Sequence, residues 1–229
     1  SGAPVATVLP DPVKLPPHFR PIDERTPPAF LKYLEGRHVT PGLARSRGIG
    51  YAVNGEYQGR IIVPVENGGH LYSFFARTIL KKCPRCQIEV GECVCLSPYR
   101  KVLNAEPSHP SLTLYNYDWV MKSPSKRAVV TEGGFDALRL PDEGVALLRS
   151  AISPAQVTLL IQLHEAGKMI IVCLDGDEAG RQGTKKVVEA LLSSFVPCRV
   201  AILPEGQDPG SAEMFVYADA LAQAKEASW

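Results

Sequence analysis

Three acidic stretches each follow directly on an apolar run. Val129-Val130-Thr131 leads into Glu132-Gly133-Gly134-Phe135-Asp136, and Ile170-Ile171-Val172-Cys173-Leu174 leads into Asp175-Gly176-Asp177-Glu178-Ala179-Gly180. Ala201-Ile202-Leu203-Pro204 leads into Glu205-Gly206-Gln207-Asp208-Pro209. Carboxylates placed on glycine turns just past strand ends sit where open α/β sheets bind ligands. Gathered at one edge they repel each other unless a divalent cation lies between them, and hard oxygen donors suit Mg²⁺ or Mn²⁺. Such ions activate a hydroxyl nucleophile and stabilise charge on a leaving pyrophosphate, the needs of phosphoryl transfer. One Asp-x-Asp alone is more often a helix cap or a loop. The weight rests on three in series.

A second constellation is sulfur. Cys83-Pro84-Arg85-Cys86 and Cys93-Val94-Cys95 are separated by six residues. In a reducing compartment four thiolates this close fit structural Zn²⁺ better than disulfides, the plainer alternative being a loop of free thiols. Lys81, Lys82 and Arg85 flank the cluster, so a zinc knuckle would extend a basic face. Cys173 and Cys198 fall on strands and read as packing residues. The histidines are scattered and form no triad with a nucleophile, so covalent catalysis has no support.

Elements must carry these groups. At 45% hydrophobic and 21% charged residues the chain of 229 residues is ordinary for a globular protein. No apolar run has the length for a membrane span and no secretory signal opens the chain, which predicts a cytoplasmic protein. Its net charge of +1 conceals an asymmetry: ten Lys/Arg against four Glu over 37–101, and eight against fourteen acidic residues from 129 onward. A basic half beside an acidic half suits a polyanion on one side and divalent metal on the other, with solvated surface charge as the alternative. Residues 1–27 are proline-rich and predict a linker or strap without core of its own. Spacing predicts helices over 28–37 and 38–50, then strands at 60–65 and 70–76 joined through Asn67-Gly68-Gly69. After residue 125 strands (128–131, 145–148, 169–174, 198–203) alternate with helices (135–140, 154–166, 179–194, 212–224), predicting a mostly parallel sheet flanked by helices.

The acidic stretches Glu132-Gly133-x-x-Asp136, Asp175-Gly176-Asp177-Glu178-Ala179-Gly180-Arg181 and Leu203-Pro204-x-Gly206-x-Asp208-Pro209 resemble the three motifs of the Toprim superfamily. Upstream, Tyr33-Leu34-x-x-Arg37, Gly48-Ile49-Gly50-Tyr51, Gly59 to Val65, Arg100 to Glu106 and Leu114-Tyr115-Asn116 resemble the catalytic cores of DnaG-type and phage-type DNA primases. The resemblance spans roughly residues 30–208. It implies an α/β Toprim domain at 126–229, preceded at 28–125 by a smaller mixed α+β basic subdomain carrying the cysteine insert (83–95).

The activity implied is metal-dependent synthesis of short RNA primers from NTPs on a single-stranded DNA template. By the same resemblance Glu132 acts as general acid/base or metal ligand, Asp175, Asp177 and Asp208 hold Mg²⁺ or Mn²⁺, and Arg60, Arg77, Arg100, Lys101 and Asn104 contact template or nucleotide. A replicative helicase, or a separate zinc-binding or helicase domain, is the further partner it brings in, and no membrane is involved. Two departures stand out: Gly134 replaces a frequent Tyr, and Gly210 replaces a second carboxylate after Asp208. The absence of room for a helical bundle after the Toprim region points to a compact, phage-like version. The competing readings are a Toprim nuclease, which would use the same carboxylates to activate water, and a RecR-like DNA-binding module without catalysis.

Overall fold

The computed structural model describes residues 10–97, 99–149 and 151–228; the first nine residues of the expected strap lie outside these. The rest of that stretch is not coreless, as the proline content suggested. Val13 (5% exposed) and Ile22 (1%) are buried, the Val13 N–H donates to Leu71 O, and β1 (Arg20–Pro21) pairs antiparallel with β2 (Gly50–Ala52). Between them lie α1 (Pro28–Glu35), which buries Phe30 and Leu34, and α2 (Pro41–Ser46), capped by Thr40 accepting from the Leu43 N–H. α2 is shorter than the 38–50 expected because Gly48 adopts φ 63°, and the Ile49 N–H then closes back on Ala44 O, turning the chain into β2.

β3 (Arg60–Asn67) and β4 (His70–Thr78) form the expected hairpin through Gly68 and Gly69, and β5 (Val102–Asn104) pairs with β4. The first sheet is antiparallel in the order β1-β2-β3-β4-β5. The cysteine insert is thus the connection between two neighbouring strands, β4 and β5.

After α3 (Tyr117–Lys122) come β6 (Arg127–Thr131), α4 (Gly134–Ala137), β7 (Gly144–Ala146), α5 (Pro154–Glu165), β8 (Met169–Val172), α6 (Glu178–Ser193), β9 (Cys198–Val200), α7 (Met214–Ala222) and β10 (Lys225–Glu226). The second sheet runs β10-β9-β8-β6-β7, parallel except at β10. Its central strands read as continuous apolar runs because both faces are covered. α5 begins in a capping box in which Ser153 accepts from the Gln156 N–H and the Gln156 side chain accepts from the Ser153 N–H. α4 covers only the first part of the predicted 135–140, since the chain must turn at Pro141 to reach β7.

The two sheets share a core. Phe75 of β4 meets Tyr115 and Phe135 edge-on, with ring centroids 5.9 Å apart in both pairs. Gly134 is required there: a Cβ would sit 2.4 Å from the Phe75 Cζ. No described helix is long and apolar enough to cross a membrane.

Candidate functional site

Each acidic stretch lies beyond the C-terminal end of its strand, with β6 and β8 adjacent and β9 next to β8. Gly176 brings the second and third stretches together: its N–H donates to Gln207 O at 2.8 Å, and a Cβ would lie 2.3 Å from Pro204 O. Asp175 is therefore held between the β6 and β9 loops. Its Oδ1 is buried without a hydrogen-bond partner, and its carboxyl is pushed up to about 7 by burial and by Asp136, Glu132, Asp208 and Asp177 in that order. Five carboxylates thus lie near enough for four of them to act on the fifth. Burial and then Asp208 raise Asp136 to about 6, although the Gly133 N–H, Arg37 and Arg77 oppose the shift. Glu132 is raised by burial and by Asp177.

These groups differ in how firmly they are held. Asp136 Oδ2 accepts from the Gly133 N–H at 3.0 Å, and Asp177 caps α6, its Oδ1 accepting from the Gly180 N–H at 2.7 Å. Asp208 accepts from the Ser211 N–H and hydroxyl at 2.8 and 2.7 Å. Leu148 sits at φ 59°, a strained conformation for a branched residue, and donates its N–H to Glu132 O at 2.9 Å, which fixes the turn presenting Glu132. At Gly210 a Cβ would lie 2.3 Å from Asp136 Oδ1. Asp136 occupies the space a side chain at 210 would need, which accounts for the glycine there.

A cation fits this set better than bare repulsion does: an orphaned buried oxygen at the centre, carboxylate oxygens to spare on Glu132, Asp136 and Asp177, and raised proton affinities at Asp175, Asp136 and Glu132. The acidic oxygens do not close into a cage of their own. Among the described residues the four cysteines are the only group whose ligand atoms all lie within 4.8 Å of one another. A hard ion here would complete its shell with water and substrate oxygens.

The opposite wall is basic. A cleft of about 290 Å³ opens between Glu132–Asp136 and the β4–β5 edge, lined also by Arg37, Arg77, Asn104 and Arg149. Arg37 packs its guanidinium 5.7 and 5.9 Å from the Tyr33 and Phe135 ring centroids. Lys101 is exposed beside Arg77, which with burial and Arg37 lowers its ammonium pKa, while Asp208 pulls the other way. Arg77, Lys101 and Asn104 are therefore on or beside the cleft. Arg100 is exposed and outside its lining.

Arg60 corrects the expectation that it touches template or nucleotide. It is 1% exposed, and its guanidinium donates to Ala76 O, Lys101 O and Arg100 O at 3.3, 3.4 and 2.8 Å, under the Tyr99 ring at 4.7 Å. The backbone of the insert's exit covers it. Conversely Asp136, Arg37 and Arg149 line the cleft without having been assigned a role. Asp136 and Arg37 already stood in the motifs, and Arg149 was detectable only as the basic residue following a predicted strand.

The cysteines converge. Sγ separations are 3.9 Å (Cys83–Cys95), 3.6 Å (Cys86–Cys93) and 3.3 Å (Cys93–Cys83), with no disulfide. The edge of a ZnS₄ tetrahedron is about 3.8 Å, from Zn–S bonds of about 2.3 Å. N–H donors from Tyr99 and Cys95 pull Cys93 down to about 6, the form a metal takes, while hydrogen bonding with Cys93 pushes Cys95 up to about 12 in the metal-free cluster. The cluster fits Zn²⁺.

Comparison with known proteins gives the same picture. A family model described as Toprim-like matches residues 129–212. The DNA primase of Thermotoga maritima is 29% identical over 192 residues, covering 78% of this chain and 31% of the relative. A structure of the DnaG primase catalytic domain bound to ssDNA superposes with a TM-score of 0.70 at 19% identity, covering 90% of this chain and 74% of the other. The primase fragment of the bacteriophage T7 primase-helicase protein gives 0.55 at 19%, covering 83% and 72%. The fold is the Toprim-type α/β fold of primase cores, as the motifs implied, and the phage fragment is the more distant of these two structures. The chain spans roughly a third or less of the curated relatives it matches: 17%, 31% and 35% of the first three.

Proposed function

We propose that the chain is the polymerising core of a DNA primase, a nucleotidyltransferase that joins NTPs into short RNA primers on single-stranded DNA. The observation that carries the reading is the five-carboxylate cluster around the orphaned Asp175 oxygen, of which Glu132 and Asp136 line a 290 Å³ cleft together with Arg37, Arg77 and Arg149. An acidic wall opposite a basic one is what a metal-bound triphosphate requires. Mg²⁺ or Mn²⁺ would be held by Asp175 and Asp208, with Asp177, Asp136 and Glu132 around them, and supplies activation of the attacking hydroxyl and neutralisation of the triphosphate.

The chain's own residues do the remainder. Arg77, Arg37 and Lys101 bind phosphate oxygens, Asn104 reaches the nucleotide, and Arg149 extends the basic wall. Glu132, with its raised proton affinity, receives the proton of the attacking hydroxyl. The four cysteines hold a structural Zn²⁺ in the β4–β5 connection. Such a core acts in the cytoplasm on replicating DNA, beside a helicase supplied by a partner or by another domain.

Primer synthesis on single-stranded DNA with labelled NTPs and Mg²⁺ or Mn²⁺ tests this. Short oligomers from the wild type, absent with Asp175→Ala and Glu132→Ala, support it. Metal-dependent cutting of the template without oligomers would replace it with a nuclease.

A further inference from the structure

β5 has only three residues and a single partner, β4, yet its Asn104 lines the cleft and Lys101 immediately precedes it. It is joined to β4 by the long connection 79–101 that contains the four cysteines. A free connection of that length would leave so short a strand poorly anchored, because loop closure costs entropy that grows with length. The structure contains what shortens it. The Val90 N–H donates to Lys81 O, Lys82 and Glu89 form an antiparallel bridge, and the Arg85 guanidinium donates to Ser97 O, so the insert folds back on itself around the sulfur cluster.

From the cluster a continuous path runs to the cleft. The Tyr99 N–H donates to Cys93 Sγ at 3.4 Å, and the Tyr99 hydroxyl lies 3.2 Å from Thr78 Oγ1, the last residue of β4. The Tyr99 ring covers the buried Arg60 guanidinium, which binds the carbonyls of Arg100 and Lys101. The Thr78 N–H donates to Lys101 O as well. The carbonyls of Arg100 and Lys101, the two residues that lead into β5, are thus both tied to Arg60.

We propose that metal bound by Cys83, Cys86, Cys93 and Cys95 sets the position of Lys101 and Asn104 at the cleft, with Tyr99 and Arg60 as the positioning residues that transmit it. The consequence for ligand binding rests on the reading of the cleft as a nucleotide and template site; the coupling itself does not. Metal joins Cys83 to Cys95 and shortens the effective loop roughly twofold, which on loop-closure entropy favours the docked strand about threefold. The acidic cluster on the other wall is untouched by this path.

The experiment is hydrogen exchange on the full chain under reducing conditions, with zinc bound and after chelation, for the wild type, Tyr99→Ala and Arg60→Met. Zinc content is quantified in each, and affinities for a fluorescent triphosphate analogue and a labelled single-stranded oligonucleotide are measured in parallel. Chelation is expected to raise exchange at 99–104 about threefold while β6 and β8 keep their protection, and to weaken both ligands by a similar factor. Tyr99→Ala is expected to reproduce this with zinc still bound, a separation that simple unfolding of the insert would not give; Arg60→Met adds a second variant if either one fails to fold. Unchanged exchange at 99–104 in zinc-free protein, or in Tyr99→Ala, overturns the coupling. If the wild type binds neither ligand, the reading of the cleft fails while the exchange result still decides the coupling.

Discussion

Asp175 is the residue at which the proposed cation site can be tested. Its pKa near 7 in the folded chain stands above the ordinary 3.8 of an unfolded aspartate. A carboxyl raised on folding stabilises the protein fully below the unfolded value, and that stability is lost as pH rises through the folded value. Metal-free protein should therefore weaken between about pH 4 and 7. Because Asp175 is only partly buried, solvent screening reduces its share at pH 8 to about 1–2 kcal/mol. Asp175→Asn should raise the melting temperature by about 4 °C at pH 8 without metal and change little at pH 4. Saturating Mn²⁺ should raise that of the wild type and leave the variant almost unmoved. Equal melting temperatures for the two proteins at pH 8, or equal responses to Mn²⁺, would show that the carboxylates do not form one electrostatic unit. The acidic residues were legible because chemistry demanded their types in a spacing tied to strand ends. Arg60 was not: an arginine opening a strand reads as surface, and what buries it is the backbone of Arg100 and Lys101, forty residues on, which leaves no local trace.

The elements that could be read are those whose signal is local. α5 has its proline, its Ser153 cap and its Gln156 return bond, and β8 has a continuous apolar run. β2, β5 and β10 hold two or three residues each and exist only because a neighbouring strand pairs with them, so no periodicity could announce them. One element carries a tether of its own. Arg139, buried just after α4, donates to Gly210 O and Ala212 O at 2.9 and 3.0 Å, fastening the loop that carries Asp208 to the helix that carries Asp136. Arg139→Met removes both bonds and leaves two inward carbonyls unpaired, at a cost of about 2–4 kcal/mol. Denaturant unfolding measures that loss, and Mn²⁺ titration should show affinity falling about tenfold or more as Asp208 drifts from Asp136. A destabilised variant with unaltered Mn²⁺ affinity would mean the tether serves folding alone.

At the scale of the molecule, a net charge of +1 hides two opposed walls, one acidic and one basic. They are joined through Phe75, Tyr115 and Phe135, residues forty and sixty positions apart, of which Phe135 was expected in a different domain from the other two, so nothing local announced the contact. Phe135→Ala should cost about 3–4 kcal/mol, and wild-type unfolding followed by Trp fluorescence and by far-UV circular dichroism should coincide, because the sheets share that core; two resolved transitions would contradict a shared core. On the proposed function the same assembly governs binding. A single-stranded oligonucleotide held by the basic wall releases counterions, so the logarithm of its affinity falls linearly with that of salt, by about 0.7 per phosphate contacted. Arg77→Ala removes one such contact and should lower the slope by about 0.7 while weakening binding about tenfold at low salt. Asp175→Asn removes no contact to phosphate and should leave the slope unchanged even where it abolishes turnover. A slope insensitive to Arg77 would move the template path off the β4–β5 edge, and a slope altered by Asp175→Asn would mean that the metal, rather than the basic wall, is what holds the strand.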